Sequence, residues 1–270
     1  MKVSAILPVF NEKERVGKIV KVLEEADFID EAIFVDDGSR DGSFEFLKKF
    51  ENQKIKVFGL KRNHGKGFAL SFGIKRAKGD ILIFIDSDLI GLRKEHLRNL
   101  VLPLLKEKKK CAIGVPLEKD RKIFRPWEFW LSGERAYFKK DLLPHLEKIS
   151  KLRYGIELYL DSIFKPEEIK VVRLISLVSP SKFDKKEFFE AWKDYFKEVK
   201  EIFEDLAKIK INYQFAKNLI KSYIKEMGAC SSVVERTPDK GEVEGSIPST
   251  PTRKVGDSEA PWRGNLGFPY

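Results

Sequence analysis

The chain has 270 residues, 42% of them hydrophobic and 35% charged, enough for one large α/β domain with an appendage or for two modest domains. Its net charge of +10 fits an anionic partner such as a nucleotide, a phospholipid surface or nucleic acid, although a solvated Lys/Glu surface explains much of the same excess. Two cysteines, Cys111 in an apolar run and Cys230 in a polar one, exclude a disulfide framework and a Cys/His zinc site, and no apolar run approaches the roughly 18 to 20 residues of a membrane span.

Lys2 to Val9 reads as a short apolar strand, and Asn11 to Ala26 carries Val16, Ile19, Val20 and Leu23 at helical spacing, with Asn11 placed to cap the helix and Glu12 and Glu14 to suit its positive end. Glu31 to Val35 is a second strand, followed by a helix from Asp41 to Phe50; Ile55 to Leu60 is a third strand and Gly67 to Ala77 a third helix. Ile81 to Ile85, five apolar residues in a row, reads as a strand buried on both faces. Strands alternating with helices predict a parallel sheet with right-handed crossovers. Leu97 to Leu105 is a further helix and Cys111 to Val115 a further strand.

From Asp120 to Phe138 the pattern turns irregular and aromatic, either lining an acceptor site or forming a core flap of a mixed sheet. Leu142 to Leu152 and Gly155 to Ile163 read as helices, and Ile169 to Val178 as a last strand. Residues 179–227 are predicted to be an amphipathic helical appendage to a domain of residues 1–178, with a charged face of both signs that suits docking on the domain or on a second subunit in a homodimer. Residues 228–270 shift abruptly to Gly, Ser, Pro and Thr and read as a disordered tail. Cys230 to Glu235 and Gly245 to Pro248 are what stretches resembling the D-arm and T-arm of a transfer RNA gene would encode. Our hypothesis is that the frame runs through such a gene; a coding DNA that cannot fold as a cloverleaf there would refute it. No basic and apolar leader precedes the first strand, so we expect a cytoplasmic protein with at most peripheral membrane contact.

The chemistry gathers at the strand ends. Ligands of open α/β sheets bind beyond the carboxyl ends of the strands, which is where Asp86 and Asp88 fall. If the chain stays extended across Ser87, both carboxylates point one way and can share a hard cation, Mg²⁺ or Mn²⁺; the plain alternative is a polar turn. Pro8-Val9-Phe10-Asn11-Glu12, Val35-Asp36-Asp37-Gly38-Ser39 and Asn63-His64-Gly65-Lys66-Gly67 close the three preceding strands, so four motifs are predicted along one rim.

Together these motifs resemble the family 2 glycosyltransferases, including dolichyl-phosphate sugar synthases and glucosyl-3-phosphoglycerate synthase-like enzymes, over roughly the first two thirds of the chain. The resemblance implies a Rossmann-like GT-A nucleotide-sugar-binding fold: a mostly parallel sheet with helices on both faces, plus C-terminal helices. It implies that Pro8, Asn11, Glu12, Asp36 and Asp37 face the nucleotide of a UDP- or GDP-sugar donor, and that Lys66 meets its phosphates. Asp86 and Asp88 become the metal pair, with Asp88 also at the reacting centre. Ser132-Gly133-Glu134-Arg135-Ala136 and Tyr154-Gly155-Ile156-Glu157 resemble acceptor-side motifs. Glu157 then acts as base or orienting group, or is a surface residue beside Arg153; Arg135 binds an acceptor phosphate, or pairs with an internal carboxylate.

The expected reaction is a metal-dependent hexosyl transfer to a hydroxyl or phosphate on a small or lipid-linked acceptor. The absence of Gln-x-x-Arg-Trp favours single transfers. Two competitors remain: a nucleotidyltransferase, which would want a Gly-rich, Arg-bearing loop after the first strand, and a non-catalytic basic module for nucleic acid or membranes. No nucleic-acid motif is recognisable, and no nucleic-acid partner is expected.

Overall fold

The alternation of apolar residues along each strand decides which helix layer it meets, as the computed structural model of residues 1–117, 132–153 and 156–179 makes plain. In strand β1 (Val3–Val9), Val3, Ala5, Leu7 and Val9 enter one core and Ile6 the other. Strand β2 (Glu31–Asp36) divides Ala32 and Phe34 from Ile33 and Val35, and β4 (Ile81–Phe84) divides Ile81 and Ile83 from Leu82 and Phe84. One core is closed by α1 (Lys13–Glu25), α2 (Ser43–Lys48) and α4 (Lys94–Lys106). The other is closed by α3 (Lys66–Arg76), α5 (Lys139–Leu142), α6 (Leu146–Lys151) and α7 (Ile156–Ser162).

With β3 (Ile55–Gly59), β5 (Cys111–Leu117), β6 (Arg135–Phe138) and β7 (Ile169–Ile175), the sheet has seven strands in the order β3-β2-β1-β4-β6-β5-β7. β3, β2, β1 and β4 are parallel neighbours, as the alternating pattern predicts, and the register sets Val9 opposite Asp36 and Asp36 opposite Gly59. Their carboxyl ends therefore share one edge. β6 runs antiparallel to both β4 and β5, while β5 and β7 pair in parallel.

Two expectations are corrected and one alternative is realised. Arg135 to Phe138, the described end of the irregular aromatic stretch, is a core strand of a mixed sheet, with Tyr137 in one core and Ala136 in the other. The single helix predicted over Leu142 to Leu152 is broken by a 3₁₀ turn, Leu143–His145, at Pro144, which has no N–H to continue the ladder. Asn11 does not cap α1: Glu12 holds the cap position, and Asn11 takes a left-handed backbone with φ 56°. Phe124, Trp127, Phe129 and Trp130, Tyr154 and Gly155, the predicted appendage and the tail lie outside the described residues.

Candidate active site

The loops at the shared edge are tied to one another rather than standing free. The Asn11 N–H donates to Ser39 Oγ (2.9 Å), the Arg40 N–H to Asn11 Oδ1 (2.9 Å) and the Glu12 N–H to Ser43 Oγ (3.0 Å), so the turns after β1 and β2 form one unit, and Pro8, near the end of β1 and opposite Val35, leads into it. Asp36 and Asp37 diverge there because successive residues of an extended chain point to opposite faces. Asp36 turns toward its own loop, where Oδ1 accepts the Ser39 N–H (2.9 Å) and buried Oδ2 has no hydrogen-bond partner among the described residues. Asp37 reaches the next loop and accepts the His64 N–H (2.8 Å) and the Gly65 N–H (2.7 Å). Burial lifts its carboxyl above the ordinary value in spite of these donors.

That loop delivers Lys66 to the first turn of α3. Gly67 follows because a Cβ there would stand 2.1 Å from the Leu152 carbonyl oxygen and 2.3 Å from that of Ile149, so the helix starts hard against the end of α6. Lys66 Nζ donates to Asp86 Oδ1 (2.7 Å) and to Glu157 Oε1 (2.7 Å), joining three elements through one ammonium. Burial works against the charged amine, but the two carboxylates outweigh it and raise its pKa. Asp86 reaches this face because it continues the alternation of Leu82 and Phe84, whose side is that of α3 and α7.

Beneath Asp86 lies β6. Gly133 leaves room for the carboxylate, since a Cβ there would stand 2.3 Å from Asp86 Oδ2. Next to it, Glu134 is 2% exposed; Oε2 accepts the Ser132 hydroxyl (2.7 Å), and buried Oε1 has no partner among the described residues. Burial, then Asp86, pushes its carboxyl up to about 8, with Asp88 adding to the repulsion while the Ser132 hydroxyl and Lys66 oppose it.

Of the predicted site residues, the structure brings Pro8, Asn11, Glu12, Asp36, Asp37, Lys66, Asp86 and Glu157 to this edge. Asp88 lies in a turn that begins at Ser87, so the extended path across Ser87 is not taken, although Asp88 remains within electrostatic reach of Glu134. Arg135 is corrected: it is 0% exposed, and its guanidinium forms a buried ion pair with Asp161 of α7, which leaves it no route to an acceptor phosphate. The pairing with an internal carboxylate is the alternative the structure realises. Two residues join the site that carried no role of their own in the sequence reading: Arg153, named there only as a neighbour of Glu157, packs over the loop of residues 63–67 and donates from Nη2 to Asn63 Oδ1 (3.1 Å), and Glu134, quoted there only within the motif around Arg135, lies against Asp86. Spatial proximity identifies both.

The donor set fits a hard cation held in part by something else. Carboxylate oxygens suit Mg²⁺ or Mn²⁺, yet among the described residues no three His, Cys, Asp or Glu side chains stand together to cage a metal. With Asp86 Oδ1 bonded to Lys66 and Asp88 in the following turn, a cation at this edge would need oxygens from a bound phosphate to complete its sphere.

Residues 4–164 match the sequence model of the family described as Glycosyl transferase family 2. The chain is 30% identical over 155 residues to the uncharacterized glycosyltransferase YfnE of Bacillus subtilis (strain 168), a stretch covering 56% of this chain and 36% of that protein. It is 35% identical over 107 residues to an undecaprenyl-phosphate 4-deoxy-4-formamido-L-arabinose transferase of Pseudomonas savastanoi pv. phaseolicola, covering 37% and 32%. The matched stretches thus span about a third of the length of these curated relatives. Among solved structures, glucosyl-3-phosphoglycerate synthase from Mycobacterium tuberculosis, crystallised with Mn²⁺, uridine-diphosphate-glucose and phosphoglyceric acid, superposes with a TM-score of 0.59 at 22% identity over 78% of this chain and 80% of that one. This likeness is one of fold, and it places the sheet described above among GT-A architectures.

Proposed function

The chain belongs to glycosyl transferase family 2 and is a glycosyltransferase, and on that premise we propose that it moves a hexose from a UDP- or GDP-sugar to a hydroxyl or phosphate acceptor, in single transfers and with a divalent cation. The observation that carries this reading is the Lys66 ammonium, set between Asp86 and Glu157 where the βα turns meet. Cation and carboxylates at one sheet edge are what a nucleoside diphosphate and its metal require.

Pro8, Asn11, Glu12, Asp36 and Asp37 form the rim for base and ribose, and each carboxylate oxygen of Asp37 keeps a lone pair beyond the one its amide donor uses. Lys66 and Arg153 supply positive charge for the diphosphate. Asp86 and Asp88 would hold Mg²⁺ or Mn²⁺, which when bound supplies charge neutralisation at the departing nucleoside diphosphate. Glu157 faces the acceptor, as base in an inverting transfer or as orienting group in a retaining one. Phosphate-bearing acceptors are supported by the undecaprenyl-phosphate in one relative's name and by the phosphoglyceric acid in the solved neighbour. No helix among the described residues is long and apolar enough to cross a membrane, and peripheral contact is the mode proposed for a lipid-linked acceptor.

Thermal unfolding with UDP or GDP and Mn²⁺ tests the donor site: the nucleotide with metal is expected to raise Tm through linkage, and nucleic acid is not. Metal-dependent hydrolysis of nucleotide sugars then tests the chemistry. An Asp88→Asn variant that hydrolyses them as fast as the parent would remove the metal pair from the mechanism.

A further inference from the structure

Lys66 already occupies the oxygen that a cation would want. Its ammonium is 2.7 Å from Asp86 Oδ1 and 2.7 Å from Glu157 Oε1, so both carboxylates are satisfied by one internal charge. The backbone beneath it cannot retreat: Gly65 is held by Asp37 Oδ2 and Gly67 is packed against the Ile149 and Leu152 carbonyls. Only the side chain can move, and its four-carbon stem carries a compact, mobile charge. The Lys66 and Asp86 side chains are 28% and 26% exposed, so this pair meets solvent on one side and can exchange partners there, while the Glu157 side chain, 10% exposed, lines the buried side of the cluster.

We propose that Lys66 is a built-in competitor of the divalent cation: it closes Asp86 until a diphosphate draws the ammonium away, so that donor binding opens the metal site and releases Glu157 toward the acceptor. The inference rests on the donor reading above and adds an order to it. With the nucleotide absent, Asp86 Oδ1 is bonded to the ammonium, and a cation approaching that oxygen would meet a like charge on it. With the nucleotide present, the β-phosphate offers Lys66 a replacement anion, and Asp86 is left free. Nucleotide and cation then strengthen each other beyond their direct contact, and by linkage the effect is the same in either order of addition. Lys66 is a positioning residue here, acting through Asp86 and Glu157.

The test is Mn²⁺ binding to the full chain, by electron paramagnetic resonance or calorimetry, with and without UDP. Lys66→Met removes the charge and keeps most of the stem; Lys66→Gln, which retains a donor between the carboxylates, serves if methionine unfolds the loop. Both variants are expected to bind Mn²⁺ alone about tenfold more tightly than the parent, and UDP is expected to enhance their Mn²⁺ affinity by a smaller factor. Arg153→Met makes the same change in charge one loop away without touching Asp86, and is expected to move Mn²⁺ affinity less than about threefold. Lys66 variants that bind Mn²⁺ no more tightly than the parent, while the parent still takes up UDP with Mn²⁺, overturn the competition and leave the donor reading intact. A parent chain that binds neither overturns the donor reading, and this inference with it.

Discussion

Two pairings of a basic side chain with carboxylates lie on the same side of the sheet and have opposite fates. Arg135 and Asp161 are 1% and 2% exposed at the side chain, enclosed between β6 and α7. Lys66 and Asp86 are 28% and 26% exposed, at the open edge where the loops meet. The chemistry of the partners is alike; the access of water differs. A sealed pair cannot trade its partner without leaving a bare charge in the interior, so it serves the fold. An open pair can exchange, and so can serve a ligand. The difference teaches that exposure, rather than the presence of charge, separates structural from available groups in this molecule.

Breaking the sealed pair is expected to have the largest effect on stability. Arg135→Met strands Asp161 in the core and should cost about 3–5 kcal/mol, read as a large fall in Tm or a failure to accumulate folded protein. Gly67→Ala attacks the platform of the open pair instead. Its methyl would collide with the Ile149 and Leu152 carbonyls, costing about 1–3 kcal/mol and displacing Lys66, so activity should fall further than stability alone explains.

Glu134→Gln sharpens the contrast through pH. The carboxyl of Glu134 is raised from its ordinary value to about 8, so its favourable contribution is complete below the ordinary range, near pH 4.5, and is lost as pH rises toward 8. The variant, measured without metal, should therefore gain stability relative to the parent as pH increases across that window, with the Tm difference widening by a few degrees; a difference constant with pH would count against the assignment. Asp86→Asn should affect folding less than Arg135→Met does, because its pair meets solvent on one side and Lys66 keeps Glu157 as a partner. Its kcat/KM should nevertheless fall at least about a hundredfold, a split between folding and activity that Arg135→Met cannot show.

The parallel units β1, β2 and β4 with their helices were legible in the sequence. The apolar runs of β1, β2 and β4 and the spacing of Val16, Ile19, Val20 and Leu23 are local signals, and the buried faces agree with them. The rim motifs could be placed for the same reason: a parallel βα repeat puts every strand-to-helix turn on one edge. Beyond β4 the signal weakened. β6 is four residues long and carries an arginine where a core strand would ordinarily be apolar, so nothing in its neighbourhood marks it as the antiparallel strand between β4 and β5.

Sequence alone determined the order of the parallel units, the two faces of the sheet and the membership of the rim, because each follows from periodicities a few residues long. Tertiary structure alone decided that Arg135 is sealed, that burial raises the carboxyl of Glu134, and that Lys66 reaches a glutamate 91 residues away. Those outcomes depend on which distant segments exclude water from a charge. No local pattern encodes that exclusion, since an arginine or a glutamate reads the same in the chain whether solvent or the protein interior will surround it.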